Sequence, residues 1–284
     1  MTKTKRLDRF ILNYMGNKYR ETKKYLSTLN IDKYDYICEA YGGIFGFSRV
    51  LFELNPQFKG KFMINDVDKQ LIDFFNLLKT DFDKTLNDLE TKVTEIWSKC
   101  DNLDKNFSTK IKLENNRIIS LSCRSLAPHL MSHSNFVKKM KNFREKKTEY
   151  IRFFDKITFH NLKSNDFFKL VEGIQSGPKL MFHDPPYINS NNRDYVGESI
   201  SINNKYIESS DSTALYILIK QEFDKKINDN IMIINHTAIM DYVFMQYFSE
   251  KYSKIYSNCS TMGKNKKKTK SNHAMYTNKS VVIT

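Results

Sequence analysis

The order in which apolar runs and helix-spaced segments alternate constrains the fold of this chain more than any other feature. KYDYICEAYGG (33–43) is an apolar run ending in a glycine turn, and FGFSRVLFELN (45–55) continues at amphipathic helical spacing. KGKFMINDVDKQLIDFFNLLK (59–79) repeats the form as strand, acidic turn and helix. DKITFHN (155–161) and PKLMFHD (178–184) read as further strands, with a short helix between them around Phe167–Glu172. DSTALYILIKQEFDKKIND (211–229) reads as a helix, followed by the strand IMIINH (231–236). Strands alternating with helices predict an α/β fold with a largely parallel sheet covered on both faces.

The segment from about Thr80 to Tyr150 breaks this alternation. It holds a helical pattern (FDKTLNDLETKVTEIWSK), a hairpin pattern (NFSTKIKLENNRIISLSC) and a basic stretch (FVKKMKNFREKKTEY), and it reads as an insertion. Residues 189–204, rich in Asn, Ser and Gly, predict a mobile loop. GKNKKKTKSN (263–272) reads as a basic loop, with a closing strand or hairpin in AMYTN and SVVIT.

Charge narrows the partners. Forty-six Lys and Arg against 32 Asp and Glu leave +14, which favours a polyanion through phosphate neutralisation. With no basic amphipathic anchor in sight, nucleic acid is preferred to a membrane surface. The 4 cysteines (Cys38, Cys100, Cys123, Cys259) have no paired ligand spacing and the 6 histidines do not cluster with them. Free thiols and no metal are expected. The N-terminus MTKTKRLDRF lacks a signal-peptide core and no apolar run reaches membrane-span length, so an intracellular, cytoplasmic protein is expected.

The stretch KLMFHDPPYINS (179–190) sharpens the functional question, because the chain has only 5 prolines and two are adjacent here. Neither can donate to a ladder or continue a helix, so the backbone leaves regular structure at the end of the strand. Asp184 then sits at or just past the strand's C-terminal end, the edge where open α/β sheets bind ligands. A rigid turn is the plainer reading. Asp66, at the end of INDVD, suits ribose hydroxyls but could equally cap the following helix.

Taken together, NYMGNKYR (13–20), EAYGGIFGFS, INDVDKQLIDFFNLL, NDFF, DPPY and HAMYTN resemble the Dam-type DNA adenine-N6 methyltransferases. These are alpha-class, DPPY-bearing enzymes that use S-adenosylmethionine. The resemblance covers most of the chain. It implies a Rossmann-like S-adenosylmethionine-binding sheet (1–79 and 151–284) with a mainly helical target-recognition subdomain inserted at 80–150. It implies a catalytic turn of Asp184, Pro185, Pro186 and Tyr187 around an adenine swung out of double-stranded DNA. Tyr14 and Lys18 would lie beside the cofactor, with Glu39, Tyr41 and Gly43 at its methionine end. Asp66 would hold the ribose hydroxyls and Asp166 the cofactor's adenine amine, with Phe167 packed near the ring. Plainer readings stay open: Lys18 as a surface charge, Phe167 as core, Asp166 as a helix cap.

The chemistry fits that turn. The adenine amine is a poor nucleophile because its lone pair is delocalised, so the site must make N6 pyramidal and aim it. Asp184 and the Pro185 carbonyl are acceptors where an N–H would repel the amine. Tyr187 offers a stacking face. Within the insertion and just past its end, Arg117, Arg124, Arg144 and Arg152, with Asn115 and Asn116, have side chains able to read base edges. Lys138, Lys139, Lys141, Lys146 and Lys147 suit phosphates. An ordinary solvated face is the alternative for each of them.

The chain departs from the family's F-x-G-x-G turn by carrying Phe45 at the last position, with Gly46 one residue later, and has Asn17 where a second glycine is common. Open alternatives are an RNA adenine or protein glutamine methyltransferase, a DNA-binding relative that has lost catalysis, and a basic scaffold with no cofactor. A homodimer, a partner restriction enzyme and a viral or phage origin with action in a host cell are all compatible with the resemblance.

Overall fold

The structure is a computed structural model that describes Leu7 and residues 10–14, 17–99, 116–123, 133–186, 201–202, 205–206, 212–236, 252–253, 259–262 and 268–277. Five strands carry the alternation read from the sequence: β1 (Tyr36–Glu39), β2 (Lys61–Asn65), β3 (Ile157–His160), β4 (Lys179–His183) and β7 (Asp229–His236). All neighbours in this group are parallel, in the order β3–β2–β1–β4–β7. The sheet continues with β10 (Lys268–Thr277), antiparallel to β7, and then β8 (Tyr252–Ser253). β9 (Cys259–Met262) pairs with β10, so Lys268–Asn272 of the basic stretch are strand rather than loop. β5 (Ser201–Ile202) and β6 (Lys205–Tyr206) form a separate antiparallel pair, and most of 189–204 lies outside the described residues.

Alternation along the strands divides the core in two. Ile37, Phe62, Ile64, Leu180, Phe182, Ile231 and Ile233 face one side. Cys38, Met63, Met181, Met232 and Ile234 face the other. The second face is covered by α8 (Ser164–Gly173) and α9 (Ser212–Lys225), through Phe167, Phe168, Val171, Tyr216 and Ile219. On the first face lie α1 (Tyr19–Tyr25), α2 (Gly46–Leu54) and α3 (Lys69–Thr80), with the Phe47 ring stacked on Phe182 at 4.0 Å. Each such side chain contributes about 1.5–3 kcal/mol by leaving water.

Local signals explain the helices. Asp68 caps α3 by accepting from the Gln70 and Leu71 amides, and Leu71, Phe74, Phe75 and Leu78 follow at helical spacing. Asp81 caps α4 (Phe82–Ser98), whose Phe82, Leu86, Leu89, Val93 and Ile96 form its buried stripe. The expected strand RIISLSC is instead the helix α5 (Arg117–Cys123). Asn116 caps it by accepting the Ile119 amide at 3.1 Å, and the buried Ile118, Ile119 and Leu121 pack into the core. Packing thereby overrides the β preference of the isoleucine pair. α6 (His133–Arg144) and α7 (Lys147–Phe154) complete the segment. Its residues join the core of the first face directly: Phe10 packs edge-on against Phe75, Phe143 and Tyr150. No described helix is long and apolar enough to cross a membrane.

Candidate active site at the carboxyl edge of the sheet

The strand order reverses between β1 and β4, since the chain passes from β1 outward to β2 and β3 and then returns to β4 on the other side. A crevice at such a switch point is the usual ligand site of an open α/β sheet. Glu39 ends β1 and lies in register with Ile64 of β2 and Phe182 of β4. Asp66 follows β2 and Asp184 follows β4, so the two acids flank β1 at one edge. At the usual strand spacing that is a lateral separation of about 10 Å.

Asp184 is half-buried and Pro185 buried at the end of β4, with Pro186 half-buried; Tyr187 lies outside the described residues. The Lys18 ammonium sits 2.7 Å from each Asp184 oxygen, with its own side chain only 3% exposed. The N-terminal element thus reaches the Asp-Pro-Pro turn, and Lys18 is not a surface charge. His183, immediately before, is fully buried and bonded to Asn230 at 2.9 Å. Burial pushes its imidazole down to about 4, so the ring is neutral.

Glu39 is 2% exposed and accepts the Ser48 amide, in the first turn of α2, at 2.6 Å. Burial raises its carboxyl to about 8, against the lowering effects of the Ser48 hydrogen bonds and Arg49; the nearby Asp184 charge raises it further. Asp66 accepts the Gly43 amide at 2.7 Å and the Asp68 amide at 2.9 Å. Burial raises Asp66 to about 6, opposed by those two amides and by Arg117. Asp68 holds the cap of α3, so Asp66 is not the helix cap. Each Asp66 oxygen retains a second lone pair for a ligand hydroxyl.

Gly43 has φ of +48°, and a Cβ there would stand 2.9 Å from the Tyr14 ring. Glycine both permits that backbone and brings Tyr14 against the turn. Phe45 also has a left-handed φ, +44°, at the position where the resembled family carries glycine. Its ring is fully buried, 4.8 Å from Phe75 and 5.1 Å from Phe10. Ring burial offsets a backbone cost of about 1–2 kcal/mol. A Cβ on Gly46 would collide with Asn17 and stand 2.8 Å from the Tyr19 amide nitrogen, which explains Gly46 and gives Asn17 a packing role.

The remaining expected residues are less concentrated. Tyr41 is half-buried in the turn after β1 and packs against the core of the second face. Phe167 is fully buried in that same core. Asp166 is exposed in the first turn of α8, whose cap position is Lys163. Arg117 lies not on the surface but buried beside Asp68, 8% exposed, with Nε 3.4 Å from that carboxylate. Arg144 is held by Glu90 at 2.6 Å and Asn87 at 2.8 Å. Lys138 and Lys141 are exposed on α6. Lys139 donates to the Ser122 carbonyl at 3.3 Å, and burial lowers its ammonium to about 7, which weakens it as a phosphate contact. Arg124 and Asn115 lie outside the described residues.

Sequence reasoning missed three residues that hold the site. Asn65 donates to the carbonyls of Ala40 and Leu162 and accepts the Leu162 amide, tying the ends of β1, β2 and β3 together. Asn161 donates to the carbonyls of Asp66 and Val67. Arg49 is fully buried, donates to the Leu7 carbonyl at 2.8 Å and faces the Phe10, Tyr19 and Phe45 rings. The amide residue closing an apolar strand in FMIN was the one available signal.

A concavity of about 890 Å³ lies away from these acids, among residues at the opposite, amino end of the strands, including Tyr36 and Lys61, with Asp32, Asp35 and Lys59 exposed. Among the described residues no group of His, Cys, Asp and Glu could hold a metal ion. No family model and no curated protein matches the chain.

Proposed function

We propose that the protein is an S-adenosylmethionine-dependent DNA adenine-N6 methyltransferase. The observation that carries this reading is the meeting of Lys18 with Asp184 at the switch point, with Glu39 and Asp66 on the adjoining strand ends. Those groups suit the two halves of the reaction. Asp66, with its spare lone pairs, would accept the cofactor's ribose hydroxyls beside the Gly43 turn, and Tyr14 would wall that end. Asp184 and the Pro185 carbonyl would accept the N6 hydrogens of an extruded adenine. The bound cofactor supplies an electrophilic methyl group, so no covalent protein intermediate is required.

In this mechanism Asp184 draws electron density toward N6 and holds the amine in line. Lys18 keeps the carboxylate oriented until the amine competes for its oxygens. Rate enhancement then comes from positioning and fixed charge. The net charge of +14 and the exposed Lys138 and Lys141 supply attraction for the duplex backbone. Starting the turn with Asp, where RNA adenine and protein glutamine methylating relatives usually carry Asn, favours DNA.

The test is to incubate the protein with methyl-labelled cofactor and matched DNA and RNA duplexes. Label recovered as N6-methyladenine in DNA is expected. Label confined to RNA would transfer the activity to that substrate, and DNA binding without any label would leave a non-catalytic relative.

A further inference from the structure

We infer that Arg117 couples the cofactor crevice to the basic helix α6, so that filling the crevice changes how tightly the protein holds DNA; this rests on the methyltransferase reading. The argument begins with α5, which is fastened to the crevice at both ends. At its start the Arg117 amide donates to Gln70 Oε1 at 2.8 Å, in the first turn of α3. Near its end the Leu121 carbonyl accepts the Asn13 amide at 3.0 Å, one residue before Tyr14.

The Arg117 side chain closes the circuit between these anchors. Its guanidinium lies 5.7 Å from the centre of the Tyr14 ring and its Nε 3.4 Å from Asp68. Tyr14 in turn lies against Gly43, whose amide is held by Asp66. Asp66 also holds the Asp68 amide. The guanidinium pairs with Asp68, two residues from Asp66, and its charge favours the ionised form of both acids. A ligand hydroxyl donating to Asp66 reduces the negative charge that Arg117 senses there. The guanidinium then favours Asp68, and α5, fixed to it, is biased with it.

From α5 the contact passes directly to the basic helix. Lys139 of α6 donates to the Ser122 carbonyl, one residue past Leu121. Lys138 and Lys141, exposed on α6, are the groups offered to phosphates. The same geometry argues against the alternative in which Arg117 itself reads bases. At 8% exposure it cannot reach a groove without abandoning Asp68 and Tyr14.

The experiment measures the affinity for a mixed-sequence DNA duplex with and without saturating S-adenosylhomocysteine, and takes the ratio. Wild-type protein should show a ratio of about fivefold or more, the usual scale of coupling between sites. In Arg117→Met the ratio should fall to about one, and Arg117→Lys should restore part of it. Asp68→Asn, which keeps the capping oxygen but removes the ion pair, should also lose the ratio; it carries the test if Arg117→Met fails to fold. A wild-type ratio in Arg117→Met or Asp68→Asn overturns the inference. So does a variant that weakens DNA binding equally in both conditions, because that marks a direct contact. A wild-type ratio of one also overturns it, yet leaves the methyltransferase reading standing if label still enters DNA. Absence of any S-adenosylhomocysteine binding by the wild-type protein would instead sink that reading itself, and the inference with it.

Discussion

The turn after β1 and the turn after β4 stand on neighbouring strands, yet they are held in opposite ways. The first is sealed into the core: Glu39 and Phe45 are buried, Gly43 is pinned by Asp66, and Asn65 ties the strand ends. The second presents a half-buried Asp184 whose carboxylate is gripped by Lys18, 166 positions away in sequence. Burial makes the first turn costly to deform. A charge contact at the second can be exchanged for a ligand's donors without breaking the core. The division suits an enzyme that holds one substrate on a rigid shelf and admits another beside it.

Replacing Asp184 with Ala should have the largest effect and should fall on rate. Loss of the acceptor is expected to cost about 10³-fold or more in methyl transfer. S-adenosylhomocysteine affinity, measured by calorimetry, should stay within about threefold, because the contacts proposed for that ligand lie on the other turn. The abandoned Lys18 should lower stability by about 1–3 kcal/mol, less than for a fully buried pair because Asp184 is partly solvated. Near-normal methyl transfer from this variant would remove Asp184 from the chemistry and dissolve the contrast between the turns.

Substitutions in the first turn should act the other way, on stability and cofactor affinity together. Phe45→Gly relieves about 1–2 kcal/mol of backbone cost but empties a fully buried aromatic site worth about 3–5 kcal/mol. A net loss of about 2–3 kcal/mol in chemical denaturation is the expectation. A stabilised Phe45→Gly would show that the ring does not compensate the left-handed backbone. Gly46→Ala should cost about 1–3 kcal/mol, because the Tyr19 amide facing the new methyl belongs to the backbone and cannot swing aside. If Gly46→Ala unfolds like wild type, the N-terminal element is looser on α2 than its contacts indicate.

The same contrast separates what the sequence could reveal from what it could not. Strand period and the double proline were enough to place Asp66 and Asp184 at strand ends, because both signals are local. The α/β alternation was legible for the same reason. Lys18 reaching Asp184 was not readable from either segment, since it depends on how the N-terminal element crosses α2. Arg49, which fixes that crossing, looks like an ordinary helical arginine until the Phe10, Tyr19 and Phe45 rings surround it. The Ile118–Ile119 pair pointed to a strand because propensity is local, whereas the Asn116 cap and the core packing that override it are not. Phe45 read as a weakened glycine turn, because a sequence shows the missing glycine but not the cavity that accepts the ring.

The smallest expected effect concerns Glu39, which lies in the first turn and feels the charge of the second. Its carboxyl stands at about 8 in the fold against an ordinary 4.5, chiefly through burial and partly through the Asp184 charge. The folded protein thus holds a proton that the unfolded chain releases, and the stability slope with pH is negative in that window. The contribution is full below about 4.5 and is lost as pH rises through about 8. Asp66 acts with the same sign, but its loss is complete near 6. Lys139, lowered to about 7, acts with the opposite sign above that value. Glu39→Gln keeps an oxygen for the Ser48 amide and carries no charge, so subtracting its thermal-melting curve from wild type's isolates Glu39. Between pH 6 and 8 wild type should lose about 1–2 kcal/mol relative to the variant, after allowance for relaxation of the buried site. In an Asp184→Ala background the same difference should shift to lower pH, because one of the charges opposing ionisation has gone. A difference curve that is flat, or that ignores Asp184, would mean that the two turns do not sense one another electrostatically.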